Sequence, residues 1–206
     1  MTVNDHPDVR DLLGALPEVT EADLRALHDR LADSSDAQGA LDVSYRTLDT
    51  PVGTLLLAAT PQGLIRVAYG TEGHDQVLNT LAKRISPRIL HAPRRLDAAA
   101  RELEEYFAGR RRSFGLPLDL SLSTGFRRLV LAHLPDIAYG QTASYAAVAA
   151  GAGRPRAVRA VGTACATNPL PIVVPCHRVI RSDGSLGGYL GGPAAKQTLL
   201  DLEAAA

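Results

Sequence analysis

The sequence predicts an α+β protein, with an N-terminal unit built on a three-stranded antiparallel sheet and helices, and a helical C-terminal unit containing a helix-turn-helix pattern. Three observations carry this prediction. Apolar residues alternate with period two between residues 43 and 69, interrupted by two turn signals. Apolar residues recur at helical spacing on both sides of that stretch. Short Ala-rich helical segments separated by a Gly-containing turn follow from residue 126.

The elements follow in order. Val9, Leu12, Leu13 and Leu16 mark a first short helical pattern. A second opens at Thr20, with Asp23 three residues later as a near capping box, and continues through Leu24, Leu27 and Leu31. Residues 33–40, DSSDAQGA, read as a linker. Residues 1–42 therefore form an acidic extension, either an appended helical pair or a partly disordered arm; the apolar faces of the six leucines favour packing against the body. Val43 to Leu48, Thr54 to Thr60 and Leu64 to Tyr69 read as strands of a meander, with turns at Pro51–Gly53 and Pro61–Gly63. Val77, Leu78, Leu81 and Ile85 predict a helix, and Leu96 to Ala108 another, with Leu103, Tyr106 and Phe107 on its buried side. Residues 43–115 thus form an α+β unit. Residues 116–206 begin with a helix over Phe126 to Leu134, then Thr142 to Ala150, a GAGRP turn and Arg156 to Ala166.

Composition narrows the function. The chain has 206 residues, 46% hydrophobic and 21% charged, which is ordinary for a globular protein. Apolar runs such as Leu170 to Val174 are too short to span a bilayer, and the N-terminus lacks a basic region followed by an apolar stretch. The two cysteines, Cys165 and Cys176, make no disulfide framework. A cytoplasmic protein with reduced thiols is expected. Net charge is zero, but residues 1–42 hold 10 Asp/Glu against 3 Arg, leaving the remainder at +7. A basic body behind an acidic arm points toward a polyanionic partner, although an Arg-rich soluble surface would give the same arithmetic.

Chemistry concentrates in the run Asn168-Pro169-Leu170-Pro171-Ile172-Val173-Val174-Pro175-Cys176-His177-Arg178. Prolines and β-branched residues predict a stiff, extended, buried segment. It ends on a thiol beside a basic and a cationic side chain, a setting that favours thiolate. Cys165, between Ala164 and Ala166 on a helix, reads as an inert core residue. Adjacent side chains on an extended segment point to opposite faces. His177 would then act on Cys176 through a bridging water, and would need an acidic partner to orient it. A Cys-His pair can also ligate zinc, but no further Cys or His lies nearby to complete a ligand set.

The run Pro175-Cys176-His177-Arg178 closely resembles the active-site motif of O6-alkylguanine-DNA alkyltransferases, also called methylated-DNA–protein-cysteine methyltransferases. Phe126 to Leu134, Tyr139-Gly140, Thr142 to Tyr145 and the recognition-helix stretch Ala157 to Gly162 extend the resemblance. So do Asn168-Pro169, Gly187 to Gly192 and Lys196 to Glu203. It covers residues 43–206. The resemblance implies a C-terminal domain holding both the helix-turn-helix and the active-site cysteine. It also implies a monomer that binds duplex DNA through the minor groove, flips out an O6-alkylguanine and takes its alkyl group once, irreversibly, without a cofactor. The sequence leaves the use of O4-alkylthymine as a second substrate open.

Carried over position by position, the resemblance makes Cys176 the nucleophile, His177 its water-linked base and Glu203 the group that orients the His. Glu203 also reads as a solvated carboxylate three residues from the C-terminus. Asn168 is expected to brace the turn, and Tyr145 to bond the flipped base or a phosphate. Arg159 is the finger that fills the gap left by the base, and Arg154 and Arg156 meet phosphates. Pro171, Tyr189 and the loop Gly187, Gly188, Leu190 and Gly191 line the alkylguanine pocket. Leu190 stands where many relatives have a small residue, which narrows the pocket. The cysteines and histidines of the zinc site in some eukaryotic relatives are missing, so no metal is expected. Three alternatives remain at this level: a DNA-binding relative without transfer activity, a Cys-His hydrolase, and a plain helix-turn-helix regulator.

Overall fold

The computed structural model describes residues 19–205, so the first helical pattern, with Val9, Leu12, Leu13 and Leu16, lies outside the described residues. Helix α1 spans Glu21–Ala37. Its start is a reciprocal capping box: the Asp23 N–H donates to Thr20 Oγ1 at 3.2 Å and the Thr20 N–H to Asp23 Oδ2 at 3.0 Å. The Leu stripe does not pack on the body. Leu24, Leu27 and Leu31 are 56%, 51% and 53% exposed. The face that docks carries Ala32, buried with Leu41 and Ala92 against Leu90, and His28, whose Nε2 meets the His91 carbonyl at 3.1 Å. Leucine spacing identifies a helix but not which side meets the protein.

Three strands form the predicted meander: β1 (Val43–Leu48), β2 (Leu55–Thr60) and β3 (Gly63–Tyr69), each antiparallel to the next. A fourth, β4 (Ile89–His91), runs parallel to β1, giving the order β3-β2-β1-β4. Three residues are too short for alternation to reveal. Between β3 and β4 lies α2 (His74–Arg84), and α3 (Asp97–Phe107) follows. Alternation along β2 divides the core. Leu56 and Ala58 face α2 in a cluster with Ile65, Val77 and Leu81. Leu55 and Leu57 face α3 and the C-terminal half, in a cluster that runs on through Leu103, Leu131, Leu170 and Leu199.

The C-terminal half comprises α4 (Gly125–His133), β5 (Ala143–Ser144), α5 (Tyr145–Gly151), α6 (Val158–Ala166), β6 (Val179–Ile180) and α7 (Gly192–Ala204). Helices α5 and α6, joined by the Gly153-Arg154-Pro155-Arg156 turn, are the helix-turn-helix pair. β5 and β6 pair in parallel, tying the entry of α5 to the residues after Cys176. Among the described residues no helix is long and apolar enough to cross a membrane.

The two halves are joined at the outer edge of β3. An edge strand leaves backbone groups unpaired, and here they are used. The Leu64 N–H donates to the Pro117 carbonyl at 2.9 Å, Asp119 N–H to the Leu64 carbonyl at 2.9 Å, and Val67 N–H to the Pro169 carbonyl at 2.8 Å. The chain at Pro117 crosses so close to Gly63 that a Cβ there would sit far inside contact with the Pro117 carbonyl. Gly63 also has φ +143°, while Gly53 has φ +95° with nothing near it. Both would be strained as alanine, but only Gly63 would also clash. Gly63→Ala should destabilise by about 2 kcal/mol or more, and Gly53→Ala by about 1 kcal/mol. Thermal and urea unfolding of the two variants measures the difference, and equal losses would show that the Pro117 crossing yields freely.

Candidate active site

The segment from Asn168 to Cys176 is buried as expected but it is not extended. It folds into a tight turn closed by the Val174 N–H donating to the Leu170 carbonyl at 2.8 Å. Ile172 at its apex has φ +74°, a conformation that costs a β-branched residue about 1–3 kcal/mol. Asn168, fully buried, offsets that strain from inside the turn. Its Oδ1 accepts from Leu170 N–H at 3.0 Å, and its Nδ2 donates to the Val174 carbonyl at 2.9 Å and to Cys176 Sγ at 3.1 Å. One amide therefore both shapes the turn and touches the sulfur. The extended reading failed because these local bonds outweigh the strand preference of the Ile-Val-Val run.

Cys176, His177 and Arg178 form one 3-10 turn, all buried. His177 makes no hydrogen bond to the sulfur. Its Nε2 meets Glu203 Oε1 at 2.9 Å, and its Nδ1 is buried without a protein partner. Glu203, on the last turn of α7, is 3% exposed, which removes the solvated reading. Its carboxylate also accepts from Arg178 Nε and Nη2 at 2.9 Å each, Tyr106 Oη at 2.7 Å and Gly140 N–H at 3.1 Å. Arg178 Nη1 continues to the Ile137 carbonyl at 2.6 Å.

The charges follow from these contacts. Burial would raise the Glu203 carboxyl, but bonds from His177, Arg178 and Tyr106 outweigh it and hold its pKa at about 2. Burial lowers His177 below its usual range although Glu203 pulls it upward, so the ring is neutral at pH 7. Burial pushes the Cys176 thiol up to about 11, against the Asn168 amide and the Lys196 charge, which favour thiolate. Cys165, also buried, is pushed to about 12.

Tyr145 opens α5, and its hydroxyl lies against Gly187, where a Cβ would sit 2.7 Å from it. Tyr189 stands edge-on to His177 with ring centroids 6.4 Å apart, and its hydroxyl is 2.8 Å from that of Tyr69. Gly188 is exposed, Gly191 lies on the Tyr69 ring, and Pro171 is buried inside the turn. Leu190 lines a groove of about 430 Å³ between α2 and the Ala166–Pro169 stretch, rimmed by Arg66, Arg84 and Arg127. Arg154, Arg156 and Arg159 are exposed, with the Arg154 guanidinium 5.2 Å above the Phe126 ring. Among the described residues no group of three or more His, Cys, Asp or Glu could hold a metal ion.

The structure also brings in residues to which sequence reasoning gave no role. Tyr106 and Tyr69 reach the site from the N-terminal half, and nothing local in sequence marks them. Arg178 belonged to the quoted motif without an assignment. Lys196 is fully buried, with Nζ donating to the Val179 carbonyl at 2.6 Å and to the Leu186 carbonyl, so it ties β6 to the start of the 187–191 loop. Its signal was available: it is one of two lysines among 22 basic residues.

Comparison with known proteins agrees with this geometry. Residues 43–120 match the family model described as 6-O-methylguanine DNA methyltransferase, ribonuclease-like domain, and residues 125–205 match the DNA binding domain of the same name. A methylated-DNA–protein-cysteine methyltransferase of Methanosarcina barkeri is 39% identical over 159 residues, covering 77% of this chain and 96% of that protein. The constitutive enzyme of that name from Bacillus subtilis is 40% identical, covering 77% and 94%. The crystal structure of Mycobacterium tuberculosis O6-methylguanine methyltransferase superposes with a TM-score of 0.70 at 38% identity, over 79% of this chain and 93% of that one. The same protein in complex with DNA gives 0.68. Matched along both halves and over nearly the full length of these relatives, the chain belongs to the 6-O-methylguanine DNA methyltransferase family.

Proposed function

We propose that this protein repairs duplex DNA by moving the alkyl group of an O6-alkylguanine onto Cys176, once per molecule, acting as a monomer in the cytoplasm. The observation that carries the reading is the buried line Cys176, His177, Glu203, with a free ring nitrogen on His177 and a carboxylate held anionic behind it. The relatives in this family are DNA repair methyltransferases, and one is known bound to DNA.

The step balances within the protein. His177 Nδ1 takes the thiol proton through a water, and Glu203 stabilises the imidazolium that forms. The sulfur attacks the alkyl carbon in line, a C–S bond forms and the C–O6 bond breaks. Tyr145 supplies the proton that leaves guanine neutral, and the thiol proton held on His177 returns to the Tyr145 phenolate through solvent, so neither side chain is left charged. The thioether has no easy leaving group, so the reaction stops there. Asn168 holds the sulfur on line. Pro171, Tyr189 and the backbone of Gly187, Gly188, Leu190 and Gly191 receive the base. Arg159 occupies the vacated stack, while Arg154 and Arg156 contact phosphates. In the resting protein the thiol is protonated and buried, which shelters it from stray alkylating agents and oxidants.

The decisive experiment incubates the protein with duplex DNA carrying labelled O6-methylguanine. Stoichiometric covalent label supports transfer, while binding without label supports a DNA-binding relative that does not repair. Cys176→Ala should lose all transfer and keep lesion binding, whereas Cys165→Ala should remain active; peptide mapping of the methyl to Cys165 would reverse the assignment. Arg159→Ala should slow repair of duplex DNA more than transfer to free O6-benzylguanine, since the free base needs no extrusion. Equal losses on both substrates would make Arg159 a structural residue.

The pKa shifts give a pH signature. With His177 neutral as the base, the saturating transfer rate should fall only on the acid side of the ordinary imidazole range, because burial holds the ring's pKa down, and should be flat from about pH 7 to 9. A thiol at about 11 without a base would instead gain roughly tenfold per pH unit across that range. His177→Ala should convert the first profile into the second. Stopped-time transfer to free O6-benzylguanine measures both, and a rising wild-type profile would remove His177 from the proton path.

A further inference from the structure

We infer that Tyr69, at the end of β3, is a positioning residue for alkyl transfer, holding the 187–191 loop through the Tyr189 hydroxyl and the backbone of Gly191. The inference rests on the alkyl-transfer reading of Cys176.

Tyr69 is buried, and it grips the loop at two points on either side of Leu190. Its hydroxyl is 2.8 Å from the Tyr189 hydroxyl, and the two rings meet edge to face at 5.8 Å. Its ring also lies flat under Gly191, where a Cβ would come within 2.6 Å of two ring atoms. A core aromatic that only filled space would need no hydroxyl. This one spends its hydroxyl on the residue whose ring stands edge-on to His177. Burial raises both phenols above their usual range, so the pair stays neutral and bonded through the working pH range.

Tyr69 is itself fixed. Its N–H donates to Glu72 Oε1 at 2.9 Å, and the other Glu72 oxygen pairs with Arg66. Arg66 reaches the Asn168 carbonyl at 3.4 Å, and the Val67 N–H bonds the Pro169 carbonyl at 2.8 Å. The end of β3 therefore holds both the 187–191 loop and the Asn168 turn that bonds the sulfur. Tyr69 fixes the loop relative to that turn from outside the C-terminal half.

The test compares wild type, Tyr69→Phe, Tyr189→Phe and the double variant in single-turnover transfer from labelled free O6-benzylguanine at several concentrations, with melting temperatures alongside. Tyr69→Phe keeps the ring on Gly191 and removes only the hydroxyl. It should raise the half-saturating concentration about three- to tenfold while the saturating rate stays within about twofold. Tyr189→Phe should show a similar shift, and the double variant no further loss, because both changes delete one shared bond. Gly191→Ala should raise the half-saturating concentration too, by lifting the loop off the ring. Tyr69→Phe that saturates like wild type, a lowered melting temperature alone, or additive losses in the double variant would each overturn the inference. Wild type that transfers no label would overturn the alkyl-transfer reading and this inference with it; an active wild type indistinguishable from Tyr69→Phe would overturn only the inference.

Discussion

The Glu203 carboxylate is the constraint on which the rest of the site depends. A buried charge survives only if it is paired and fully hydrogen-bonded. Glu203 meets that demand by drawing four partners from three places: His177 and Arg178 from the cysteine turn, Tyr106 from α3, and the Gly140 backbone from the approach to α5. Each partner is thereby located. The His tautomer follows as well, since Nε2 is committed to the carboxylate and Nδ1 is left facing elsewhere. A group three residues from the C-terminus thus organises the interior. The same bonds join the two halves of the molecule, because Tyr106 belongs to the N-terminal unit.

The sulfur is governed by a second, opposing arrangement. Burial raises the thiol, while the Asn168 amide at 3.1 Å and the Lys196 charge lower it. Burial wins, and the pKa of about 11 leaves the free protein with a quiet thiol. A protein that can react only once gains from this, since a standing thiolate would be consumed by the first electrophile to reach it. The strained Ile172 turn fits the same account. It is held by Asn168, and Asn168 also holds the sulfur, so backbone strain and nucleophile position are fixed by one side chain.

Much of this was legible in the sequence, and the limits have physical causes. Alternation at 43–69 revealed the meander because period two survives wherever a strand has two distinct faces. The Asn168 brace came from the resemblance, and its bonds span only two to eight residues. The Pro-Cys-His-Arg run pointed to the nucleophile, and only resemblance reached as far as Glu203. Tyr106 and Tyr69 were not legible, because their partners lie 97 and 120 residues away and no periodicity encodes a contact of that range. Two local readings failed because groups outside each stretch decided the outcome. The Leu24, Leu27 and Leu31 stripe gave the helix but not the docked face, which is set by where β4 runs. The Ile172-Val173-Val174 run gave burial but not the turn, which the side chain of Asn168 imposes from outside the run.

Burial of the sulfur also bears on how the substrate must arrive. Cys176 is 2% exposed, beneath a loop held down by Lys196 and Tyr69. No atom of a base stacked inside a duplex can approach a thiol at that depth, so the base has to leave the stack. The exposed Arg154, Arg156 and Arg159 stand on α6 and the turn before it, the two elements that lead into the Asn168 turn. That surface is joined to Cys176 by a few buried residues. The N-terminal unit reaches the site from within, through Tyr106 and the end of β3. That unit thus supplies a fixed wall against which the cysteine turn holds its shape.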